Sequence, residues 1–228
     1  VLVAVLNNPE SEQWLNEMRW TDGHDIDEIF DVIGSMGYEC VEVAPANAPE
    51  LPYAAAVRPT VLLIPNLRRL DYRTQQAVRE FVHSGGRVFA TGQSSLKTPD
   101  EQLSGAFGFG LADVFGVEFA GWLGIAPLHD AIAQIAAGEA IWANVPNPLV
   151  LEPEDRQGVL VRARPGAQVL GVWSDSEGLI THPSAIGPAI VLNGRSIYVA
   201  SDMLSWHALQ NESARAFLAN AIAYLLSK

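Results

Sequence analysis

Thr60-Val-Leu-Leu-Ile-Pro-Asn66 opens the stretch that decides the fold. A short polar turn follows it, then an amphipathic segment, then Gly85-Gly86, then Arg87-Val-Phe-Ala-Thr-Gly-Gln-Ser-Ser95. An apolar run, a helical period and a second apolar run make a strand–helix–strand unit. Its two strands must lie parallel in one sheet. A parallel sheet places ligand sites beyond the carboxyl ends of its strands. Those ends are residues 66–70 and 92–96, so any chemistry is expected in these two loops.

Working outward, Val1 to Leu6 is a continuous apolar run, the mark of a central strand buried on both faces. Asp25 to Met36 reads as a helix with Ile26, Ile29, Phe30 and Ile33 on one face and acids in its first turn. Gly37 is placed to cap it, and Tyr38 to Ala44 is the second strand. A proline- and alanine-rich link, Pro45 to Pro59, leads to the strand at Val61 to Ile64. Asp71 can cap the next helix, whose apolar stripe is Ala77, Val78, Phe81 and Val82. Val88 to Thr91 is the fourth strand, and Leu111 to Val117 holds one or two helical turns. From Glu118 the texture turns β-rich. Residues 158–164 and 168–173 are candidate strands, and Pro188–Asn193 with Ser196–Ala200 reads as a hairpin about an Asn-Gly step. Ser213 to Leu226 closes the chain as a helix with Phe217, Leu218, Ile222, Leu225 and Leu226 inward. The expected architecture is one α/β domain over residues 1–228, a parallel βα core (1–117) joined to a β-rich half (118–228).

Composition narrows the function. A chain of 228 residues hides roughly 70% of its unfolded surface on folding. Its 26 acidic and 14 basic residues leave a net charge of −12, which disfavours nucleic acid and an anionic membrane surface as partners. Charged residues are 18% of the chain, below the usual ~25%, which leaves apolar surface for a partner to cover. Cys40 is the single cysteine, so neither an internal disulfide nor a thiolate metal cluster can form, and its apolar setting reads as an inert thiol. No apolar stretch reaches the ~20 residues of a membrane span, and Val1–Leu6 lacks the length and flanks of a signal peptide. The expectation is a soluble, cytoplasmic protein. The chain starts on a strand without a methionine, which fits a piece of something longer.

The chemical motifs are weak. Gly92-Gln-Ser-Ser-Leu96 partly matches the Gly-x-Ser-x-Gly elbow but lacks its last glycine. A serine nucleophile needs an imidazole and an acid, and the later pairing available is Asp202 with His207. The hydroxyls therefore read as loop caps. His24-Asp-Ile-Asp-Glu28 matches no ligand spacing, and carboxylates in a first turn are expected anyway. Gly105 to Gly110 is glycine-rich without the dinucleotide fingerprint. Glu152–Asp155 and Asp175–Glu177 read as solvated turns, not as facing carboxylates of a glycosidase. Asn211-Glu-Ser213 matches a glycosylation acceptor, a motif common by chance. Neither a metal nor a cofactor is expected. Trp173 falls in an apolar strand, while Trp14, Trp20, Trp122 and Trp206 fall in loops or at element ends. There they can stack on sugars or anchor an interface.

Leu62-Leu-Ile-Pro-Asn66, the helix from Gln75 to Gly86 and Arg87-Val-Phe-Ala-Thr91 together resemble the class I glutamine-amidotransferase-like fold. Leu111 to Val117, the terminal hairpin and helix, and Asp202 after the last strand bring the likeness nearer to the trimerisation domain of β-galactosidase-like glycoside hydrolases. The resemblance implies a flavodoxin-like three-layer sandwich with a mainly parallel sheet. It also implies that active relatives carry a cysteine in the turn after the strand matching Val88–Thr91. Here that position is Gly92, and the histidine and glutamate partners are not both present. Catalysis is therefore not expected. The resemblance implies a non-catalytic assembly domain, a homo-oligomer (a trimer among the options) or the companion of a catalytic hydrolase barrel. The alternative is a small-ligand site, for a sugar or a hydrolase substrate, in the crevice formed by Asn66, Gly92, Ser94, Ser95 and Asp202.

Overall fold

The computed structural model describes residues 1–8, 26–58, 60–122, 131–135, 140–151, 158–175, 177–178 and 187–228. Nine strands form one mixed sheet. In chain order the elements are β1 (Leu2–Leu6), α1 (Ile26–Ser35), β2 (Glu39–Val43), α2 (Leu51–Val57), β3 (Thr60–Ile64), α3 (Tyr72–His83), β4 (Arg87–Thr91), α4 (Ala112–Phe115) and β5 (Val117–Trp122). They continue with β6 (Ala131–Gln134), β7 (Leu149–Val150), β8 (Val159–Ala163), β9 (Gln168–Ser174), β10 (Pro188–Asn193), β11 (Ser196–Val199), α5 (Trp206–Gln210) and α6 (Glu212–Leu226). The sheet runs β2-β1-β3-β4-β11-β10-β9-β6-β7. The first five strands are mutually parallel and the last four alternate antiparallel. β5 and β8 pair separately as an antiparallel ribbon with an irregularity between Phe119 and Gly121.

Local chemistry sets these bounds. Every residue of β1 and β3 is buried, as continuous apolar runs in a parallel sheet should be. The Asp71 carboxylate accepts the Thr74 N–H at 2.8 Å, capping α3. Gly86 releases the chain toward β4 where a Cβ would meet the Phe81 ring at 2.4 Å. α6 begins on the Asn211 side chain, which accepts the N–H groups of Ser213 and Ala214.

Secondary structure covers both faces of the sheet. Tyr198 of β11 sits beside Ala90 of β4 in register, so Tyr198 and Phe89 point to opposite faces. Phe89 meets Phe217 of α6, with ring centroids 6.5 Å apart. Tyr198 stacks on Phe115 of α4 at 5.3 Å. Phe217, Leu218, Ile222 and Leu225 are buried beneath α6, while Leu226 is only partly so. Burying each such side chain stabilises the fold by about 2 kcal/mol.

Three expectations change. The link from Pro45 to Pro59 holds a 3₁₀ turn, Pro45–Glu50, and then α2; Pro45 and Pro52 sit where a helix start tolerates them, while Pro49 lies inside the 3₁₀ turn. The hairpin turn is centred on Gly194-Arg195, because Asn193 is the last paired residue and faces Ser196. The Asn193 amide instead donates to the carbonyls of Asp113 and Val114, tying the hairpin to α4. The region after Glu118 also contains β5, β6 and β7, which short, interrupted patterns did not announce. Trp14, Trp20, the His24–Asp25 step and Glu152–Asp155 lie outside the described residues.

Candidate functional site

The sheet topology brings the loops after β3, β4 and β11 to one end, and with them Asn66, Gly92, Ser94, Ser95 and Asp202. All but Gly92 carry polar side chains, and those four are between 0% and 3% exposed. Buried polar atoms must find partners, and here they find each other. The Asn66 side-chain amide donates to Asp202 Oδ2 at 3.0 Å, and its Oδ1 accepts the Gln93 N–H at 2.7 Å. The Thr91 hydroxyl accepts the Asn66 N–H at 3.0 Å and donates to Asp202 Oδ1 at 3.3 Å. Ser94 Oγ lies 2.7 Å from the Thr91 carbonyl and 3.0 Å from that of Ile64, and it accepts the Leu67 N–H at 3.2 Å. Ser95 Oγ accepts the Leu111 N–H at 3.0 Å. The two serine hydroxyls thus hold the backbone of neighbouring loops.

Gly92 is the centre of this arrangement. Its φ is +56°, in the left-handed region. A Cβ built there would come within 2.3 Å of Asn66 Oδ1. Its N–H reaches the carbonyls of Val199 and Ser201, and its carbonyl accepts the Tyr198 hydroxyl at 2.5 Å. The turn keeps the sharp geometry on which a nucleophile could be presented, while Asn66 occupies the space where its side chain would begin. Cys40 cannot substitute: it lies on β2, three strands from β4, and burial pushes its thiol up to about 11.

No family model matches the chain, and no curated protein matches it. Solved structures do. The cold-adapted β-galactosidase from Rahnella sp. R3 superposes with a TM-score of 0.67 at 18% identity, over 95% of this chain and 30% of that one. The β-galactosidase from Bacillus circulans sp. alkalophilus gives 0.68 at 17%, over 99% of this chain and 30% of that one. The fold is that of a module within β-galactosidases. This chain therefore spans about 30% of the length of these enzymes. A ThuA-like protein from Bacteroides uniformis shares the fold as nearly its whole chain, with a TM-score of 0.63 at 12% identity over 100% of this chain and 91% of that one.

Around the module's polar plate stand residues that sequence reasoning did not single out: Arg68, Gln93, Thr91, Tyr198 and Glu101. Arg68, 5% exposed, donates to Gln93 Oε1 and to Glu101 Oε2, each at 2.7 Å. Arg69 Nε donates to the other oxygen of Glu101 at 2.5 Å. Burial alone would raise the Glu101 carboxyl; the two guanidinium groups outweigh it and hold it below its ordinary value. Only the position of Arg68 and Arg69 in the post-strand loop was available as a signal.

The described aromatics divide clearly. Trp173 and Trp142 are buried, at 0% and 5% exposure, whereas Trp122 and Trp206 are 42% and 46% exposed. Trp122 packs edge-on to Phe119 and lies under the Arg68 guanidinium. Trp206 opens α5 and meets His207 edge-on. Among the described residues no cluster of three or more His, Cys, Asp or Glu could hold a metal ion, and no helix is long and apolar enough to cross a membrane.

Proposed function

We propose that this chain is a non-catalytic assembly module, similar to the trimerisation domain of β-galactosidase-like glycoside hydrolases, acting in carbohydrate metabolism in the cytoplasm. In this reading its flavodoxin-like sheet and flanking helices form the three-layer sandwich of the amidotransferase-like class. Its partners are sister copies, in a homo-oligomer such as a trimer, or a catalytic glycoside hydrolase domain.

The observation that carries the proposal is the filled turn at Gly92, where Asn66 stands in the place of a nucleophile's first carbon. The near-complete superposition of this chain on a minor part of two β-galactosidases supports it further. Exposed Trp122 and Trp206 are the described candidates for contact with a partner, since aromatic side chains concentrate interface energy. A ligand crevice at the same strand ends would require Asn66, Ser94 and Ser95 to leave their buried partners, so in this proposal the five residues brace the loops.

Catalysis is the direct test. The purified chain is expected to release no nitrophenol from nitrophenyl β-galactoside and no ammonia from glutamine. Turnover of either that disappears with Ser94→Ala or Asp202→Asn contradicts the proposal.

A further inference from the structure

A second site lies away from the polar plate. A groove of about 630 Å³ runs between the start of α3 and the loop leading into α4, within the range of small-ligand sites. Two aromatic side chains flank it, Tyr72 at 74% exposure and Phe107 at 44%. The polar groups are held in place. Arg79 Nε donates to Asp113 Oδ2 at 2.9 Å and its Nη2 to Oδ1 at 3.1 Å, and the same Nη2 also donates to the Gly110 carbonyl. Buried Gln75 donates to the Leu70 carbonyl at 2.8 Å and to Ser104 Oγ at 3.1 Å. Gly110 leaves room for that amide, since a Cβ there would strike it at 2.4 Å.

The chemistry of the lining selects the ligand. Arg79 is matched by Asp113, and the other guanidinium, Arg164, faces Glu118 at 3.9 Å while lying over the Phe107 ring. With its charges paired, the groove has no excess positive charge for a phosphate or carboxylate. It offers a fixed donor beside a fixed acceptor, a hydroxyl, and apolar ring faces. Adjacent hydroxyls of a sugar bridge such a donor–acceptor pair, and its C–H face lies on an aromatic ring. We infer that this groove is a binding site for a neutral saccharide, separate from the assembly role and independent of it.

The test is titration of the intact chain with D-galactose and with lactose, followed by calorimetry and by amide chemical shifts. Both probes are chosen because the solved neighbours are β-galactosidases. The expected result is saturable binding, weakened roughly 10-fold or more by Tyr72→Ala, Phe107→Ala or Asp113→Asn. Tyr53→Ala, at an exposed aromatic of α2 outside the groove, leaves it unchanged. Far-UV circular dichroism confirms that each variant is folded. The inference is overturned by no saturation up to on the order of 100 mM of either sugar, or by binding that the groove variants leave intact. It is equally overturned if those variants alter the chain's mass in light scattering while neither sugar binds, which assigns the groove to a second copy. A monomeric chain that still binds sugar removes the homo-oligomer and leaves this inference standing.

Discussion

Gly92 and Asn66 compete for one small volume, and the rest of the polar plate follows from which of them fills it. Asn66→Ala removes the acceptor of the buried Gln93 N–H and the amide donor to Asp202 Oδ2, a loss of about 2–4 kcal/mol. Gly92→Ala must accept a left-handed φ and a Cβ 2.3 Å from Asn66 Oδ1, at a similar cost of about 2–4 kcal/mol. In the double variant the obstructing amide is gone, so the two losses are expected to fall short of additivity by at least ~1 kcal/mol. Urea denaturation of the four proteins measures this; additive losses would show that the residues do not share the space. The sequence placed these residues together because strand ends are readable from apolar runs. It could not show that they satisfy one another. The Asn66–Asp202 contact joins residues 136 positions apart, and it exists only because β11 pairs in register beside β4.

At the scale of elements, the loop after β3 is fastened to the segment after β4 by one carboxylate shared between two arginines. Lys97 N–H also donates to the Arg68 carbonyl at 2.9 Å across the same pair of segments. Glu101 has its pKa lowered from 4.5 in the folded protein. The unfolded chain therefore takes up this proton first as pH falls. The stabilisation is fully present above pH 4.5 and is lost as pH falls below that value through the depressed folded pKa. Glu101→Gln is expected to lower stability at neutral pH and to flatten this part of the acid limb in urea titrations. An unchanged acid limb would show that Glu101 contributes none of it. The helices with long apolar stripes, α1, α3 and α6, were legible in sequence because each buries one face. α2 was not: of its seven residues only Leu51 is buried, so it carries no stripe to read. β6 and β7 are too short for alternation to show, and the irregularity at Gly121 breaks the pattern of β5.

Across the whole molecule, β11 is inserted between β4 of the first half and β10 of the second. Residues 1–117 without it would leave β4 as a bare apolar edge. The division into a parallel core and a β-rich half, plain in the sequence, is therefore expected to be one of texture, with a single cooperative transition. With Trp14 and Trp20 replaced by phenylalanine, tryptophan emission reports the distal half through buried Trp142 and Trp173, and far-UV circular dichroism weights the helices of both halves. Their urea midpoints are expected to coincide; separation by more than about 0.5 M would divide the chain into two units. The acidic balance of −12 and the low charge content were readable from composition, whereas which surface a partner covers depends on where exposed aromatics emerge from the folded sheet. The self-association at the centre of the assembly role is tested most directly by the mass of the purified chain in multi-angle light scattering over a wide range of concentrations. The expected result is a multiple of 24.6 kDa that persists on dilution or builds with concentration; a strict monomer at the highest concentration attainable would contradict it.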